Sequence, residues 1–342
     1  MKLDKVLIIA EAGVNHNGDL QKAIELIEVA SKAGVDVVKF ETFKADKIVS
    51  KTARKAKYQT ENMGDDDDSQ YNMLKSLELS EEDHHRLMKQ CDKRGVQFFS
   101  TAFDVDGIDF LDKLGMPFFK SPSGEITNYP YLKRLAEKGK PVILSTGMAD
   151  MKEVKAAVDV LMKHGLAKQD ITVLHCNTEY PTPMEDVNLK AMNTIGDELG
   201  VQVGYSDHTL GIEVPIAAVA LGAKVIEKHF TLDRNLPGPD HRASLEPSEL
   251  KEMVAAIRNI EVAISGSGKK EPSSSELKNR SVVRKSLHTK RELKKGHKIS
   301  EDDLIPLRPA NGINPMDIDD VIGCELKSDF NVFELLNWDD LE

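Results

Sequence analysis

Short β-branched runs alternate with amphipathic helical patterns eight times between residue 6 and about residue 266. In the helical stretch Leu20–Ala33, for example, Ile24, Ile27 and Ala30 recur at the spacing of one helix face, and Gly34 follows as a C-cap. Eight strand–helix units predict a parallel sheet, and eight is the number of strands that closes a (β/α)8 TIM barrel. The strand-like runs are 6–13, 37–43, 97–103, 117–125, 141–148, 171–177, 202–209 and 224–231.

Two segments depart from this alternation. Residues 44–79 lengthen the connection after the second strand, and their acidic run 64–69 predicts a solvated loop of the kind that also forms lids. After the barrel domain, 1–266, residues 267–280 are rich in Ser, Gly, Pro and Lys and are predicted to form a linker. Residues 281–342 then form a second domain, which is small enough that we expect it to dock onto another surface.

Charge and cysteine content exclude several classes of protein. The formal net charge is -11 and no basic block is large, so a nucleic-acid partner is not expected. The three cysteines are far apart, which fits neither a disulfide framework nor a zinc ribbon. The apolar run 6–10 is too short for a signal peptide, and no segment approaches the ~20 apolar residues of a membrane span. We therefore expect a reduced, cytoplasmic protein with no membrane partner.

Charged and hydroxyl side chains occur at the ends of all eight predicted strands. Buried parallel strands are normally aliphatic, and charges there are costly unless they pair or meet a ligand. Active sites of such barrels lie at the carboxyl ends of the strands, so the set predicts a charged ligand. The alternative for any single residue is a salt bridge on the barrel rim. The set includes Glu11, Lys39, Glu41, Thr101, Lys120, Ser123, Glu125, Ser145, Asn177, Thr178, Tyr180, Ser206, Asp207, His208, Glu227, Lys228 and His229.

Two of these residues, His208 and His229, are expected at matching depths on adjacent strands, within reach of one metal ion. Two protein ligands leave coordination positions for water and substrate, as a Lewis-acid site requires. Carboxylates nearby, for which Glu11, Glu125 and Asp240 are candidates, favour Mn²⁺ or Mg²⁺ over zinc. The other histidines, for example His84, His85 and His164, lie on helical patterns and are interpreted as surface residues.

Lysines and serines among the strand-end residues suit an anionic substrate. Lys39 and Lys120 provide point charges, and the hydroxyls of Ser123, Ser145 and Ser206 provide neutral donors. These groups together fit a phosphate and a carboxylate.

Seven segments, in order along almost the whole chain, resemble the sialic-acid synthase family: IAEAGVNHNGD, VKFETFKA, FFKSPSGEITNYP, ILSTGM, HCNTEYPTP, GYSDHT and EKHFTLDRNLPGPDHRASLEP. The tail segments SVV at 281–283 and LRPANG at 307–312 resemble the antifreeze-like (SAF) domain of that family. The family condenses phosphoenolpyruvate with an open-chain N-acylated mannosamine-type aldehyde and releases phosphate by C–O cleavage. The resemblance therefore implies an enzyme that makes a nine-carbon sialic-acid-type sugar.

The resemblance also implies roles for individual residues. His208 and His229 resemble the ligands of a divalent metal, for which we expect Mn²⁺, with Mg²⁺ or Co²⁺ as alternatives. Glu11 resembles the acid–base residue, and Glu125 is taken as a second catalytic candidate that also contacts the sugar. The predicted substrate contacts are Lys39, Thr101, Lys120, Ser123, Ser145, Asn177, Thr178, Tyr180, Ser206, Asp240 and Arg308.

Two departures from the family pattern bear on the substrate. Many members carry Gln at the position of Glu41, which affects the surroundings of the metal. Where many neuraminate synthases have Cys-Thr-Asn-x-Tyr, this chain has CNTEY at 176–180. That pattern resembles the branch that uses 2,4-diacetamido-2,4,6-trideoxymannose to make N,N'-diacetyllegionaminate, which we take as the favoured product. N-acetylmannosamine, giving N-acetylneuraminate, is the alternative.

Two other functions compete with this interpretation. A Schiff-base aldolase would use one of the strand-end lysines Lys39, Lys120 and Lys228 and would need no metal. A non-catalytic carbohydrate-binding protein would leave the charged strand ends unexplained. We further expect a homodimer with exchanged tails, in which Arg308 reaches the sugar in the partner's barrel; the alternative is a local pair with Asp302 or Asp303.

Overall fold

The computed structural model describes residues 3–64 and 66–342, so Met1, Lys2 and Asp65, the last within the predicted acidic run, lie outside the described residues. The chain divides into two compact units, Met1–Ser265 and Gly266–Glu342. We describe each unit by itself.

The first unit is built on eight parallel strands in the order β3-β2-β1-β8-β7-β6-β5-β4, which is the predicted (β/α)8 barrel. The strands are β1 (Leu7–Gly13), β2 (Val37–Thr42), β3 (Gln97–Ala102), β4 (Phe119–Ser121), β5 (Val142–Ser145), β6 (Ile171–Cys176), β7 (Gln202–Asp207) and β8 (Val225–His229). At the β3–β4 seam, the Tyr131 hydroxyl donates to the carbonyl of Ala102, 2.7 Å away, and also lies 3.4 Å from the carbonyl of Lys120. This buried hydroxyl therefore links β3 and β4, the first and last strands in the order given above.

Helices cover the barrel and pack their apolar faces on the strands. The helices of this unit are α1 (Leu20–Ala33), α2 (Ala45–Ile48), α3 (Lys57–Met63), α4 (Gln70–Leu77), α5 (Glu81–Arg94), α6 (Val105–Lys113), α7 (Tyr129–Glu137), α8 (Met151–Lys163), α9 (Ala191–Leu199), α10 (Glu213–Ala220) and α11 (Pro247–Ala263). Helix α1 has the predicted bounds because Asp19 caps its first turn, and Gly34, at φ 83°, ends it in the left-handed conformation that glycine tolerates.

The fourth strand is much shorter than predicted. The run 117–125 forms only β4, and Ser123–Glu125 is a 3-10 turn. Pro122 separates the two and cannot donate a ladder hydrogen bond, which ends the strand. The result places Ser123 and Glu125 on a turn above the barrel rather than on a strand.

The long connection after β2 is largely helical, since α2, α3 and α4 lie within residues 44–79. An isolated bridge joins Arg54 to Ser69 and closes the base of the segment that carries α3. Its side chains Met73 and Leu77 form a small separate cluster with Val14 and Phe43, which lie just after β1 and β2, and Met63 packs against this cluster.

The second unit has its own core around an antiparallel pair, β9 (Ser286–Thr289) and β10 (Leu304–Leu307). It also contains α12 (Ser274–Val283) and α13 (Ile318–Val321). Helix α12 overlaps the predicted linker, 267–280, and continues to Val283. Ser273 and Glu276 form a capping box that starts the helix within this Ser-rich stretch. The prediction from the sequence did not use this capping signal.

The interpretation of the other histidines as surface residues was wrong for His16, His84, His241 and His288, which are all buried. His84, interpreted as a surface residue, is 1% exposed on the face of α5 that also buries Leu87 and Cys91. Its ring donates to the Ser80 carbonyl and accepts from Thr42. The i, i+3, i+7 spacing of these three residues was the available signal.

Along residues 3–64 and 66–342, no helix is long and apolar enough to cross a bilayer.

Candidate active site

The strand register places an acid, a lysine and a histidine side by side. Strand β1 lies between β2 and β8, and Glu11 is paired in register with Lys39 on one side and with His229 on the other. Because side chains alternate along a strand, Glu227 shares the inward face of β8 with His229. These four side chains, all at most 6% exposed, line one cavity of about 690 Å³ at the carboxyl ends of the strands.

Glu227 holds two lysines at the bottom of the cavity. Its carboxylate lies 3.4 Å from the Lys39 ammonium and 3.2 Å from the Lys120 ammonium, and it accepts from Ser206 at 2.9 Å. Lys39 also lies 2.8 Å from Glu11. Two like charges therefore converge on one point, an arrangement that costs free energy in a buried site unless anions compensate it.

Glu11 and Glu227 differ in protonation behaviour. Burial raises the pKa of Glu11 well above its ordinary value, and Lys39 reduces that effect without cancelling it. Burial acts on Glu227 in the same direction, but Lys120 and Lys39 outweigh it and lower its pKa below the usual range. Glu227 is therefore a fixed anion that anchors the lysines, whereas Glu11 is able to take up and release a proton.

Further acids line the other side of the cavity. Burial raises the pKa of Glu41, and burial together with the charge of Glu41 raises the pKa of Asp240 to about 7. Glu125 lies on the 3-10 turn after β4, accepts from the Asn128 amide, and has a pKa that half-burial raises. These carboxyls give this end of the cavity an acidic character, and Glu41 also interacts with the charges of Lys39 and Lys120.

Two neutral imidazoles meet at this acidic end. The rings of His208 and His229 have centroids 5.3 Å apart, and burial lowers the pKa of His208 to about 4 and that of His229 well below its ordinary value. His208 Nδ1 donates to the carbonyl of Asn177, which leaves Nε2 as the nitrogen with a lone pair. His229 Nδ1 is buried without a hydrogen-bond partner in the described part of the chain, 3.9 Å from Asp240.

These two histidines fit a metal ion chemically, because a buried, neutral imidazole nitrogen without a hydrogen-bond partner is a ready ligand. Among residues 3–64 and 66–342, however, no group of three or more His, Cys, Asp or Glu side chains could hold a metal by itself. A bound ion would therefore take its remaining ligands from water or substrate.

An aromatic stack forms one wall of the cavity. The Tyr180 ring lies over the His208 ring with centroids 4.0 Å apart, and Tyr58 of α3 stacks on the other side of Tyr180 at 5.2 Å. Tyr180 also contacts His229 edge-on, with centroids 5.5 Å apart. Such a face suits the apolar side of a sugar or an acyl group.

Some of the side chains predicted to contact substrate are available to a ligand, whereas others hydrogen-bond to the protein itself. Ser145 Oγ is buried with no hydrogen-bond partner in the described segments, and Thr101 accepts from Lys39 at 3.2 Å. Ser123 Oγ accepts from the Gly147 amide, and Thr178 lines the cavity. Asn177 does not reach into it, since its side-chain oxygen accepts from the amide of Glu179 and its carbonyl holds His208.

Lys228 points away from the cavity, because it alternates with Glu227 and His229 along β8. It is fully buried against Asp207, with 2.6 Å between the ammonium and the carboxylate, and also donates to the Thr209 carbonyl. Its inclusion among the Schiff-base candidates was therefore wrong. The ion pair instead fixes the residues on both sides of His208.

Arg308 belongs to the second unit, where its Nε donates to the carbonyl of Val283. The alternative considered above was an ion pair between Arg308 and Asp303. In the structure the Asp303 carboxylate instead pairs with Arg291 and His297.

A family model described as NeuB family matches residues 26–270, and one described as SAF domain matches residues 284–342. The chain belongs to the NeuB family. It is 52% identical to the N,N'-diacetyllegionaminic acid synthase of Legionella pneumophila, over 98% of this chain and 94% of that one, and 51% identical to the enzyme of the same name from Campylobacter jejuni, over 98% and 99%. A crystal structure of N-acetylneuraminic acid synthetase from Leptospira borgpetersenii, in complex with citrate, is similar with a TM-score of 0.69 and 35% identity, over 82% of this chain and 92% of that one. The predicted resemblance to sialic-acid synthases is confirmed.

Within this NeuB-family site, the sequence pattern missed residues whose role depends on distant partners. Glu227 was noted as a charged strand residue, yet its bonds to Lys39 and Lys120 join three strands, β2, β4 and β8, and could not be seen from spacing. Tyr58 and Asn62 lie in the long connection after β2, for which the sequence predicted a solvated loop of the kind that also forms lids, without indicating either residue. The signal for Glu227 was a carboxylate in a buried parallel strand, where aliphatic residues are the norm.

Proposed function

We propose that this NeuB-family protein condenses phosphoenolpyruvate with an N-acylated mannosamine-type aldehyde, and that N,N'-diacetyllegionaminate is its favoured product. The observation that carries the proposal is that two buried lysines, Lys39 and Lys120, line one cavity together with His208 and His229. A trianionic substrate and an aldehyde need these two kinds of environment in one site.

The proposed reaction joins C3 of phosphoenolpyruvate to the aldehyde carbon of the open-chain sugar. The aldehyde oxygen takes up a proton and becomes a hydroxyl. A water molecule adds at C2, the bond between C2 and the phosphate oxygen breaks, and inorganic phosphate leaves. The product is a 2-ulosonic acid with three more carbons than the sugar.

At the lysine end, Lys39 and Lys120 would neutralise the phosphate and carboxylate of phosphoenolpyruvate. Both ammonium groups are held by Glu227, so they are positioned before the substrate arrives and need little reorganisation. Ser145, whose hydroxyl is buried without a partner in the described residues, would donate to the same anion.

At the histidine end, His208 and His229 would hold a divalent metal ion, for which we propose Mn²⁺. When bound, the ion supplies Lewis-acid polarisation of the aldehyde oxygen. Glu11, adjacent to His229 in the strand register and with a raised pKa, would deliver the proton to that oxygen.

The charges of the site also favour a cation. Glu11, Glu41, Glu227 and Asp240 line the cavity together with Lys39 and Lys120, so the acids outnumber the lysines. Phosphoenolpyruvate would add further negative charge. A divalent ion at the histidine end offsets part of this repulsion without disturbing the lysines.

The high identity to two N,N'-diacetyllegionaminic acid synthases supports the choice of sugar. N-acetylmannosamine is the second candidate, since one solved structural relative is an N-acetylneuraminic acid synthetase. We also propose that the protein is a homodimer with exchanged tails, in which Arg308 contacts the sugar of the partner's site.

One assay tests the reaction, the sugar and the metal together. Purified protein is treated with a chelator, divided, and supplied with phosphoenolpyruvate, either sugar, and Mn²⁺ or buffer. We expect Mn²⁺-dependent phosphate release, faster with the diacetamido sugar by roughly 10-fold or more, since its methyl and second acetamido groups add contacts. Mass spectrometry identifies the product; no phosphate release with either sugar in the presence of metal would refute the proposal.

A further inference from the structure

The only residue of helix α3 that is buried is polar. Asn62 is 8% exposed, whereas the remaining residues of Lys57–Met63 are partly or fully exposed. Burial of an amide is costly unless its hydrogen bonds are satisfied, so the partners of Asn62 indicate what holds this helix.

Asn62 binds two loops of the active site. Its side-chain amide nitrogen donates to the Pro239 carbonyl at 2.6 Å and to the Tyr180 carbonyl at 3.3 Å. Both acceptors are carbonyls, which fixes the orientation of the amide. Pro239 immediately precedes Asp240, and Tyr180 stacks on His208, so one amide group joins the loops after β6 and β8 at the acidic end of the cavity.

A second residue on the same face of α3 contacts the same wall. Tyr58 precedes Asn62 by one helical turn, and its ring stacks on Tyr180 with an interplanar angle of 20°. Tyr58 lines the cavity, together with Ala56, Lys57 and Gln59 from the same segment. The helix therefore covers one side of the proposed sugar position.

The base of this segment is tied independently of Asn62. The amide of Lys55 donates to the carbonyl of Asp68 at 2.8 Å, and that of Gln70 donates to the carbonyl of Ala53 at 3.1 Å. Apart from the stacking of Tyr58 on Tyr180, only Met63 of this helix packs partly against an apolar cluster, so the helix has few apolar contacts with the barrel. Segments with few buried apolar contacts open at low free-energy cost.

We propose that α3 is a lid over the sugar end of the site and that Asn62 is its latch, so that Asn62 and Tyr58 are positioning residues for the amino sugar. When the latch is closed, Asn62 holds the carbonyls of Tyr180 and Pro239 in place, and Tyr58 supports the face of Tyr180 opposite His208. This role rests on the proposed function for the identity of the ligand, but the latch can be measured without turnover.

The test compares three variants of the full-length protein. Asn62→Asp keeps the side-chain shape but replaces the donor by an oxygen that faces two carbonyl oxygens. Asn62→Leu removes the donor at similar volume. Thr60→Ala is the matched control, since Thr60 is exposed on the same helix and does not line the cavity.

Hydrogen–deuterium exchange of the 57–63 segment is measured first, with the segment of α1 as an internal reference. We expect faster exchange at 57–63 in both Asn62 variants, no change in Thr60→Ala, and no change in α1. Steady-state kinetics should then show a KM for the sugar raised about tenfold in the Asn62 variants, as the loss of one or two buried hydrogen bonds predicts, with the KM for phosphoenolpyruvate changed less than about twofold.

The outcomes separate the latch from the proposed reaction. If the wild-type protein turns over neither sugar, the proposed function fails, while the exchange rates still decide whether Asn62 holds the lid. Unchanged exchange at 57–63 in Asn62→Asp overturns the latch. Faster exchange with equal increases of both KM values overturns the assignment of the lid to the sugar end.

Discussion

Single carboxyl groups in the cavity differ because their neighbours differ, and Glu11 is the clearest case. It has a raised pKa, lies between Lys39 and His229, and has one buried oxygen, Oε1, without a hydrogen-bond partner in the described chain. Glu11→Gln should lower kcat by ~10²–10⁴, the usual contribution of general acid–base catalysis, while phosphoenolpyruvate still binds. Fluorescence or calorimetric titration with phosphoenolpyruvate checks the binding, and a wild-type kcat would contradict the role.

Asp240 allows a prediction of stability against pH. In the folded protein burial raises its pKa to about 7, well above that of an ordinary Asp, so the folded state binds more protons than the unfolded state between about pH 4 and pH 7. Stability from this group is therefore present at low pH and is lost as the pH rises through 7. In chelator-treated protein, Asp240→Asn should gain unfolding free energy relative to wild type over this interval. A difference between the two proteins that is constant from pH 5 to 8 would contradict the expectation.

At the scale of strands, a buried ion pair between β7 and β8 fixes the residues next to His208 and His229 in the chain. Lys228 and Asp207 are both fully buried, and Asp207 also accepts from the amide and hydroxyl of Thr209. Lys228→Met should cost about 3–5 kcal/mol of unfolding free energy, because it leaves Asp207 charged and unpaired with a cation. Adding Asp207→Asn should restore part of the loss, as urea unfolding of the single and double variants would show.

A surface pair provides the control for that experiment. Arg86 and Glu82 lie one turn apart on α5 and are both exposed, so Arg86→Met should change the unfolding free energy by less than about 1 kcal/mol. Equal losses in Lys228→Met and Arg86→Met would mean that the buried pair has no special role.

Elements with local signals could be predicted from the sequence, and those that depend on distant contacts could not. Helix α1 was located to the residue from its apolar spacing and from Gly34, which marks its end, and in the structure Asp19 caps its start. The predicted fourth strand was too long because Pro122 was not recognised as the residue that ends it. Helix α12 was missed because it lies within a Ser-rich stretch. The convergence of Lys39 and Lys120 on Glu227 depends on barrel closure, which no local pattern contains.

For the whole molecule, a net charge of -11 is compatible with an anionic substrate only if positive charge is concentrated locally. The barrel does this with Lys39 and Lys120, whose neighbour Glu227 keeps them in place. No arginine lines the cavity among the residues that the structure describes, so recognition of the sugar's acyl group by a guanidinium would require another source.

Arg308 is the candidate for that source if dimers exchange their tails, and complementation tests it. His208→Ala and Arg308→Ala are each expected to be inactive, and the two variants are co-expressed. Random pairing makes about half of the dimers mixed, and each mixed dimer has one intact site out of two, so about a quarter of wild-type activity should return. Mixing the two proteins after separate purification, without subunit exchange, is the control and should restore nothing. If Arg308 serves its own barrel, co-expression should restore no activity, because no dimer then contains a complete site. If Arg308 only stabilises the tail through the Val283 carbonyl, Arg308→Ala alone should retain activity.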